Sequence, residues 1–379
     1  MYRIFYAEKN TTLNERFPEQ NAGIDQILEF TKHVSGTIVD GRYRSQTFNT
    51  RILIDFGSEI DSVTTAVNDG KIPPLGNAAT SASVYLSLRS SDATDLIQKY
   101  NLEAFPVSQS WSHGQGYVSD NPKTTKGASW YYRNSKDLAT NWTTGSAASR
   151  NVSSGTTETR GGGTWMTGST YEASQSFNNQ VPDIRINVTD IVDNWVKGNL
   201  NNHGFVVKRP YSDEISGEIL GDIKFFSRNS HTIFVPKLEV VWDNTTFINT
   251  SSAEISANSY VPYFKNIKSE YRTSEITKFR IGVRPEFPSK TYVTSSFYLT
   301  NERLPTSSYY SIIDSITNET IIAYDTSGTK IDCDSNGSFF KLRMDSFMPE
   351  RYYKMQLKIE RDGGDDIQTF DDFYFKVVN

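Results

Sequence analysis

The sequence predicts an all-β chain: two β-sandwiches in tandem, the first carrying one short helix and a long insertion. Three observations predict it. Aromatic residues make up 13% of the chain while the hydrophobic fraction is only 36%, and Gly, Ser, Thr and Asn are abundant; that mix suits strands joined by many turns. Strict period-two alternation recurs, most clearly after Pro262. A length of 379 residues supports two to three domains with cores of their own.

The segment Ile184–Asp243 is the most legible. Thr189 is placed as the N-cap of a helix, with Asp190 in the first turn, where a carboxylate suits the helix dipole. Ile191 and Trp195 lie one turn apart, as do Val192 and Val196, so they form an inward stripe, and Gly198 ends the helix at the left-handed position. After an acidic loop, Phe205–Lys208, Lys224–Phe226 and Leu238–Trp242 read as strands. The helix closes the end of a sandwich that ends at Asp243. Residues 244–261 are rich in small polar side chains and read as a linker or a loosely attached strand.

Residues 262–379 read as an immunoglobulin-like β domain of about 115 residues. Phe279, Ile281 and Val283 alternate with Lys278, Arg280 and Arg284, and Tyr353, Met355, Leu357 and Ile359 alternate with Lys354, Gln356, Lys358 and Glu360. Each pattern gives one buried and one wet face. Gly363 and Gly364 supply a hairpin turn, and Phe373, Phe375 and Val377 alternate on the return.

The first sandwich resembles the DNRLRE-type β-sandwich domain found on secreted and cell-surface proteins and in some phage virion proteins. The resemblance is carried in order by EKNTTLNE (Glu8–Glu15, with Asn10 for the usual aspartate), RILIDFGS (Arg51–Ser58), SVYLSLR (Ser83–Arg89), LEAFPVSQSWSHG (Leu102–Gly114) and the closing FFSRNS with VPKLEVVW. It implies a jelly-roll-like sandwich over residues 1–243. The departure is an insertion at about 119–182, longer than the family's connection. GTKIDCDSNGSFFKLRM and the closing FKVVN resemble C-terminal domains of large tailed-phage structural proteins.

The stretch Asn134–Asn179 is too poor in apolar residues for a core of its own. Two readings compete: an arm lying across a neighbouring subunit, or a hairpin packed on its own domain. Trp130, Tyr131, Tyr132, Trp142, Trp165 and Tyr171 crowd into or beside it and are candidate subunit or glycan contacts, because flat aromatic faces stack on sugar rings and anchor protein interfaces. Burial as core or anchors is the competing reading for the tryptophans, and Trp111 and Trp195 are expected in the core.

Chemistry finds little support. His33, His113, His203 and His231 lack metal-ligand spacing, so no metal and no cofactor is expected. Cys333 lies between Asp332 and Asp334, which dull a thiol. DCDSNG (Asp332–Gly337) imitates half a calcium loop, but Arg343 stands where the bidentate Glu belongs, so a polar hairpin is expected. Gly161–Gly163 lacks the Lys-Ser/Thr of a phosphate loop. Asp190 and Asp193 face outward, and Asp365, Asp366, Asp371 and Asp372 solvate a turn. A net charge of −5 gives no footprint for nucleic acid or an anionic membrane, and MYRIFYAEKN lacks the features of an export signal. Asn-x-Ser/Thr sites such as Asn10 and Asn187 are then chance. The expected function is therefore a non-enzymatic structural protein of a tailed-phage virion, assembled in the host cytoplasm, whose partners are copies of itself and other virion proteins. The alternative is an adhesin that binds a cell-surface polysaccharide.

Overall fold

The computed structural model describes residues 1–39, 42–138, 140–142, 161–248, 253–255, 259–265, 267–287, 302–360, 364–370 and 373–379, with the backbone alone at 33–39 and 42–46. It is all-β, with three short helices where the sequence suggested one. The chain divides into two compact units, one of Phe5–Asn77 and Ser83–Glu239, the other of Met1–Ile4, Ala78–Ala82 and Val240–Asn379.

Residues 1–243 contain β1 (Tyr2–Tyr6) and β12 (Lys237–Val241), which the division between the units cuts, and, within the larger unit, β2 (Lys9–Asn14), β3 (Ile27–Val39), β4 (Arg42–Asp55), α1 (Ser58–Asn68), β5 (Ser83–Leu88), β6 (Ser90–Thr94), β7 (Lys99–Pro106), β8 (Ala173–Asn178), β9 (Ile184–Asn187), α2 (Thr189–Val196), β10 (Phe205–Lys208), α3 (Tyr211–Ile215) and β11 (Asp222–Phe226). Four strands form a sheet in the order β1-β12-β5-β9. Eight form the other, ordered β6-β11-β3-β4-β10-β7-β8, with β2 also on β4. The runs RILIDF and FVVK are buried throughout because they lie at the centre of the large sheet and are covered on both faces.

Register sorts those two faces. Val206 stands opposite both Leu53 and Phe105, Lys208 opposite Glu103, and Leu13 opposite Arg51, so these seven share one face. Ile52, Ile54, Phe205, Val207 and Ala104 share the other. The second face belongs to the sandwich core. Trp195 of α2 meets Phe205 edge-on with centroids 4.7 Å apart, and Phe56 meets Phe205 at 6.1 Å.

Thr189 is not the cap of α2. Val188 holds that position, and Thr189 is the first helical residue. Its hydroxyl accepts the Val84 N–H at 2.9 Å and donates to Asn187 Oδ1 at 2.6 Å, and that same oxygen takes the Thr189 N–H at 3.1 Å. The hydroxyl therefore ties the helix to β5, while Asn187, two residues upstream, satisfies the helix start. Gly198 follows Lys197 with φ +71, the left-handed exit.

The overlooked helix α1 follows Gly57 (φ +44), where an added Cβ would lie 2.0 Å from Glu8 Oε2. Glu8 carries the helix start from a distance, its Oε1 accepting the Ser58 N–H at 2.7 Å, and Ile60, Val63 and Ala66 face the core. The third helix, α3, lies within what the sequence presented as an acidic loop.

The smaller unit contains β13 (Ala253–Glu254), β14 (Tyr260–Lys265), β15 (Glu270–Arg272), β16 (Ile276–Pro285), β17 (Glu302–Arg303), β18 (Ser308–Asp314), β19 (Thr320–Ile322), β20 (Asp332–Asp334), β21 (Gly337–Arg343), β22 (Tyr352–Ile359), β23 (Asp366–Thr369) and β24 (Phe375–Val378). One sheet runs β14-β16-β21-β20; the other runs β15-β24-β22-β18-β19 with β23 on β22. The period-two sets end up inside: Phe279, Ile281, Val283, Tyr353, Met355, Leu357 and Ile359 are all buried. Tyr310 of one sheet stacks on Phe340 of the other at 4.2 Å. Within residues 244–261, the Thr246 and Phe247 N–H groups bond the Asp332 carboxylate, and β13 pairs with β17. Gly363, Asp371 and Asp372 lie outside the described residues.

Candidate functional site

The first face of the large sheet carries charges that a strand centre rarely holds. Arg51 and Lys208 are brought onto it by alternation with Leu53 and Val206. Residues 107–172, between β7 and β8, cover this face where they are described. Trp111, Ala128, Trp130, Trp142 and Trp165 pack there against Leu13, Leu53, Phe105, Val107 and Val206. The connection between β7 and β8 thus runs over residues 107–172, and β8 at Ala173–Asn178 is an edge strand on β7.

Arg51 is the centre of this layer. Its Nε and Nη2 donate to the two Glu214 oxygens at 2.8 and 2.9 Å, and Nη1 donates to the Gly162 carbonyl at 2.7 Å. The guanidinium lies between two indoles, 4.8 Å from the Trp130 ring centre and 5.0 Å from that of Trp165. Both ionic side chains are almost wholly buried, 1% and 3% exposed, so the fork geometry and the stacking must offset their desolvation. The Gly161–Gly163 run makes room for this contact: Gly162 has φ +76, and a Cβ there would lie 2.2 Å from Arg51 Nη1.

Lys208 Nζ lies 3.4 Å from Glu214 and 3.5 Å from Glu103. Burial pulls the Lys208 ammonium below its ordinary pKa against the attraction of Glu214, and burial pushes the Glu103 carboxyl up against the pull of Lys208. Beside them Trp165, Glu172 and Tyr211 help enclose a space of about 50 Å³. That volume admits a few waters at most, whereas ligand pockets run to roughly 300–1,000 Å³. Both Glu214 oxygens are engaged by Arg51, and Lys208 approaches the same carboxylate.

The aromatic candidates separate sharply. Trp130, Trp142 and Trp165 are each 2% exposed, so the expectation that they contact a subunit or a glycan is corrected. They are core because the outer face of β4, β10 and β7 is apolar and needs a cover, and the Trp142 indole N–H donates to Ser129 O at 2.9 Å. Trp111 is buried too, its indole N–H donating to His203 O at 2.9 Å. Tyr131 is 39% exposed, while Tyr132 and Tyr171 are half-buried. The part of the arm at 143–160 lies outside the described residues. Arg51, Glu214, Lys208 and Gly162 were missed; the available signal was an arginine opening the otherwise apolar run RILIDF.

A second feature comes from the same two strands. β11 pairs with β3 only at Ile27–Thr31, β10 with β4 only at Ile52–Ile54, and β2 with β4 only at Thr50–Asp55. From Lys32↔Asn49 to Val39↔Arg42, β3 and β4 continue as a ladder of eight pairs. Among the described pairings no third strand flanks it. Its root is fixed by the α3 segment: Lys32 Nζ donates to Ser216 O at 2.6 Å and Ser216 Oγ at 2.8 Å, and Asn49 Nδ2 donates to Glu214 O at 3.2 Å. Tyr211, Ile215 and Ile219 of this segment are 41%, 42% and 60% exposed.

Burial lowers the imidazole pKa of His113 and His203, and the His33 side chain lies outside the described residues. Burial, then the neighbouring Asp332 and Asp334, pushes the Cys333 thiol up. Asp332–Gly337 is a two-strand hairpin, Asp334 opposite Gly337, with the Asp334 carboxylate held by Arg280 and Lys278. Among the described residues, no group of three His, Cys, Asp or Glu could hold a metal, and no helix is long and apolar enough to cross a membrane.

No family model matches the chain, and no curated protein matches it. Among solved structures, a β-D-glucuronidase from Dictyoglomus thermophilum aligns with 91% of this chain at 7% identity and a TM-score of 0.13. The alignment spans 43% of that enzyme's chain. A likeness this slight supports neither a shared fold nor a shared activity.

Proposed function

We propose that this chain is a non-enzymatic structural protein of a tailed-phage virion, held in the particle by contacts with copies of itself and with other virion proteins. The observation that carries the assembly reading is the β3–β4 ladder beyond Thr31 and Thr50. Two strands alone are marginal in water, and an open ladder edge presents rows of N–H and C=O groups that a further strand can use. The rest of the large unit supports a rigid wall: both faces of the large sheet are covered at Arg51–Phe56 and Phe205–Lys208, and the outer layer there is fixed by Arg51. The virion placement draws on the sequence resemblances. Mass spectrometry of purified particles tests it: the chain should appear at a fixed copy number, and its absence from particles would reject the reading.

The alternative, an adhesin for a cell-surface polysaccharide, now rests on Tyr131, Tyr132 and Tyr171, since the three tryptophans are unavailable for stacking. A glycan array comparing the natural chain with Tyr131→Ala and Tyr132→Ala separates the two readings, because only an adhesin would show sugar binding that these changes abolish.

A further inference from the structure

We propose that Lys208 and Glu103 condense to an amide, a covalent cross-link from the Lys208 side-chain nitrogen to the Glu103 side-chain carbonyl that ties β10 to β7. It is a single reaction of the chain with itself, and it does not depend on the assembly reading above. The register places the two residues directly opposite on paired antiparallel strands. Across that pair, Lys208 Nζ lies 3.5 Å from Glu103 Oε2. β10 and β7 each have a further strand on the other side, so the two backbones are fixed relative to one another. Reacting groups held in this way can reach effective concentrations of roughly 10⁵–10⁸ M, which turns a condensation that free amines and acids do not perform in water into a local step.

The surroundings favour the reactive forms. Amide formation needs the neutral amine and the neutral acid, and an exposed lysine and glutamate hold neither at neutral pH. The Lys208 side chain is 4% exposed, and its Nζ lies 5.9 and 5.8 Å from the ring centres of Phe105 and Trp165. Burial disfavours its ammonium, and burial disfavours the Glu103 carboxylate in the same way. A neutral amine has two hydrogens and one lone pair. The Arg209 carbonyl and Glu214, 3.4 Å from Nζ, stand ready to accept the hydrogens, which leaves the lone pair for Glu103.

The two glutamates have different parts. Both Glu214 oxygens accept from Arg51, and a carboxylate so held is a poor acyl electrophile, so Glu103 is the acyl partner and Glu214 the base in reach. The Lys208 nitrogen attacks the Glu103 carbonyl carbon, and a C–N bond forms. Glu214 takes a proton from the nitrogen and hands it to the departing hydroxyl; the C–O bond breaks, and one water leaves. Nothing is oxidised or reduced, and no co-reactant is consumed. Glu103, Lys208, Tyr211 and Glu214 border the space of about 50 Å³, room enough for the water released. The bond closes a covalent loop that contains the whole 107–172 connection, so the layer over Arg51 stays tied to the sheet at both of its ends.

Mass spectrometry of the intact, denatured chain tests this. The natural chain, kept folded at neutral pH, should weigh about 18 Da less than its sequence, the mass of one water. Trypsin should leave Lys208 uncut and release one branched peptide that joins the segment around Glu103 to the segment around Lys208. Lys208→Met and Glu103→Leu should each return the sequence mass. The first reading is made on the natural chain, so it stands even where a variant fails to fold. Cyclisation of an aspartate also loses one water, and the branched peptide tells the two apart. A natural chain at its full sequence mass overturns the proposal, as does a loss of water that the digest maps to any other pair of residues.

Discussion

The strands β3 and β4 pass through two environments, and the contrast explains much of this molecule. At Arg51–Asp55, β4 has strands on both sides and a layer on each face, and even its one arginine is held by four groups: Glu214, Gly162, Trp130 and Trp165. From His33↔Phe48 outward, the same strands form a ladder that no third described strand flanks. The first end shows how a chain can bury charge, by fork geometry, stacking and a carbonyl that completes the donors. The second shows the opposite economy, with backbone groups left for water or a partner. Stability should therefore reside at one end of the ribbon and association at the other.

The largest effect should come from Arg51→Ala. It removes the two shortest bonds to the buried Glu214 carboxylate, empties the space between two indoles and takes the Arg51 donor from the Gly162 carbonyl. A loss of about 5 kcal/mol is expected. Five of the six tryptophans lie within Phe5–Glu239, so urea unfolding followed by tryptophan fluorescence reports mainly on that unit. Trp165→Ala should cost about 4 kcal/mol through the cavity it leaves, whereas Tyr131→Ala, at an exposed ring, should cost under ~0.5 kcal/mol. Similar losses for the two aromatic changes would show that burial does not separate them.

Legibility in the sequence follows the same divide. Strands that alternate or run apolar were plain: Phe205–Lys208, Tyr353–Ile359 and Phe279–Val283 depend on local periodicity alone. The helix at Thr189–Val196 was visible from its stripe, but its start was misassigned, because whether a threonine hydroxyl caps its own helix or bonds Val84 on another strand is a long-range matter. The helix at Ser58–Asn68 escaped because its first N–H is satisfied by Glu8, fifty positions away in the chain. The tryptophans misled for a related reason. Aromatic residues in a Gly/Ser/Thr-rich stretch look exposed until the apolar outer face of Leu53, Val206 and Phe105 is known to need a cover. The Arg51 site could have been suspected from a charge within RILIDF, but its partner, Glu214, lies in a segment that reads only as acidic.

Acid should probe another buried charge of the same sheet pair. Glu239 is held by Arg185 at 2.9 Å and Lys237 at 3.0 Å. Burial opposes its ionisation, but the two cations win and lower its pKa from 4.5 to about 2. A carboxyl depressed in the folded state contributes its full stability above the unfolded value and loses it as pH falls through the folded one. Natural chain and Glu239→Gln should therefore differ by about 3 kcal/mol near pH 6 and converge as pH falls from about 4.5 to about 2. Glu15 and Glu103 have raised values and run the other way, which is why the comparison with Glu239→Gln is needed. A gap that does not change with pH would mean that Glu239 is not the group responsible. A smaller loss, about 1 kcal/mol, is expected for Glu8→Ala, which leaves the start of the Ser58–Asn68 helix without its carboxylate.

The smallest effect on stability should come from the largest deletion. His33 and Phe48 are directly opposite in the ladder, so an Asn-Gly turn can join them in place of residues 34–47 without disturbing the pairs nearer the sheet. The root remains intact, since Lys32, Asn49 and the α3 segment are all kept. If the ribbon exists for association, this shortened chain should unfold within about 0.5 kcal/mol of the natural one, because no third described strand pairs with the part removed. It should also be missing from purified particles. A loss as large as that of Arg51→Ala would place the ribbon among the elements that hold the unit together, and the division between a stable end and an associating end of β3 and β4 would fall.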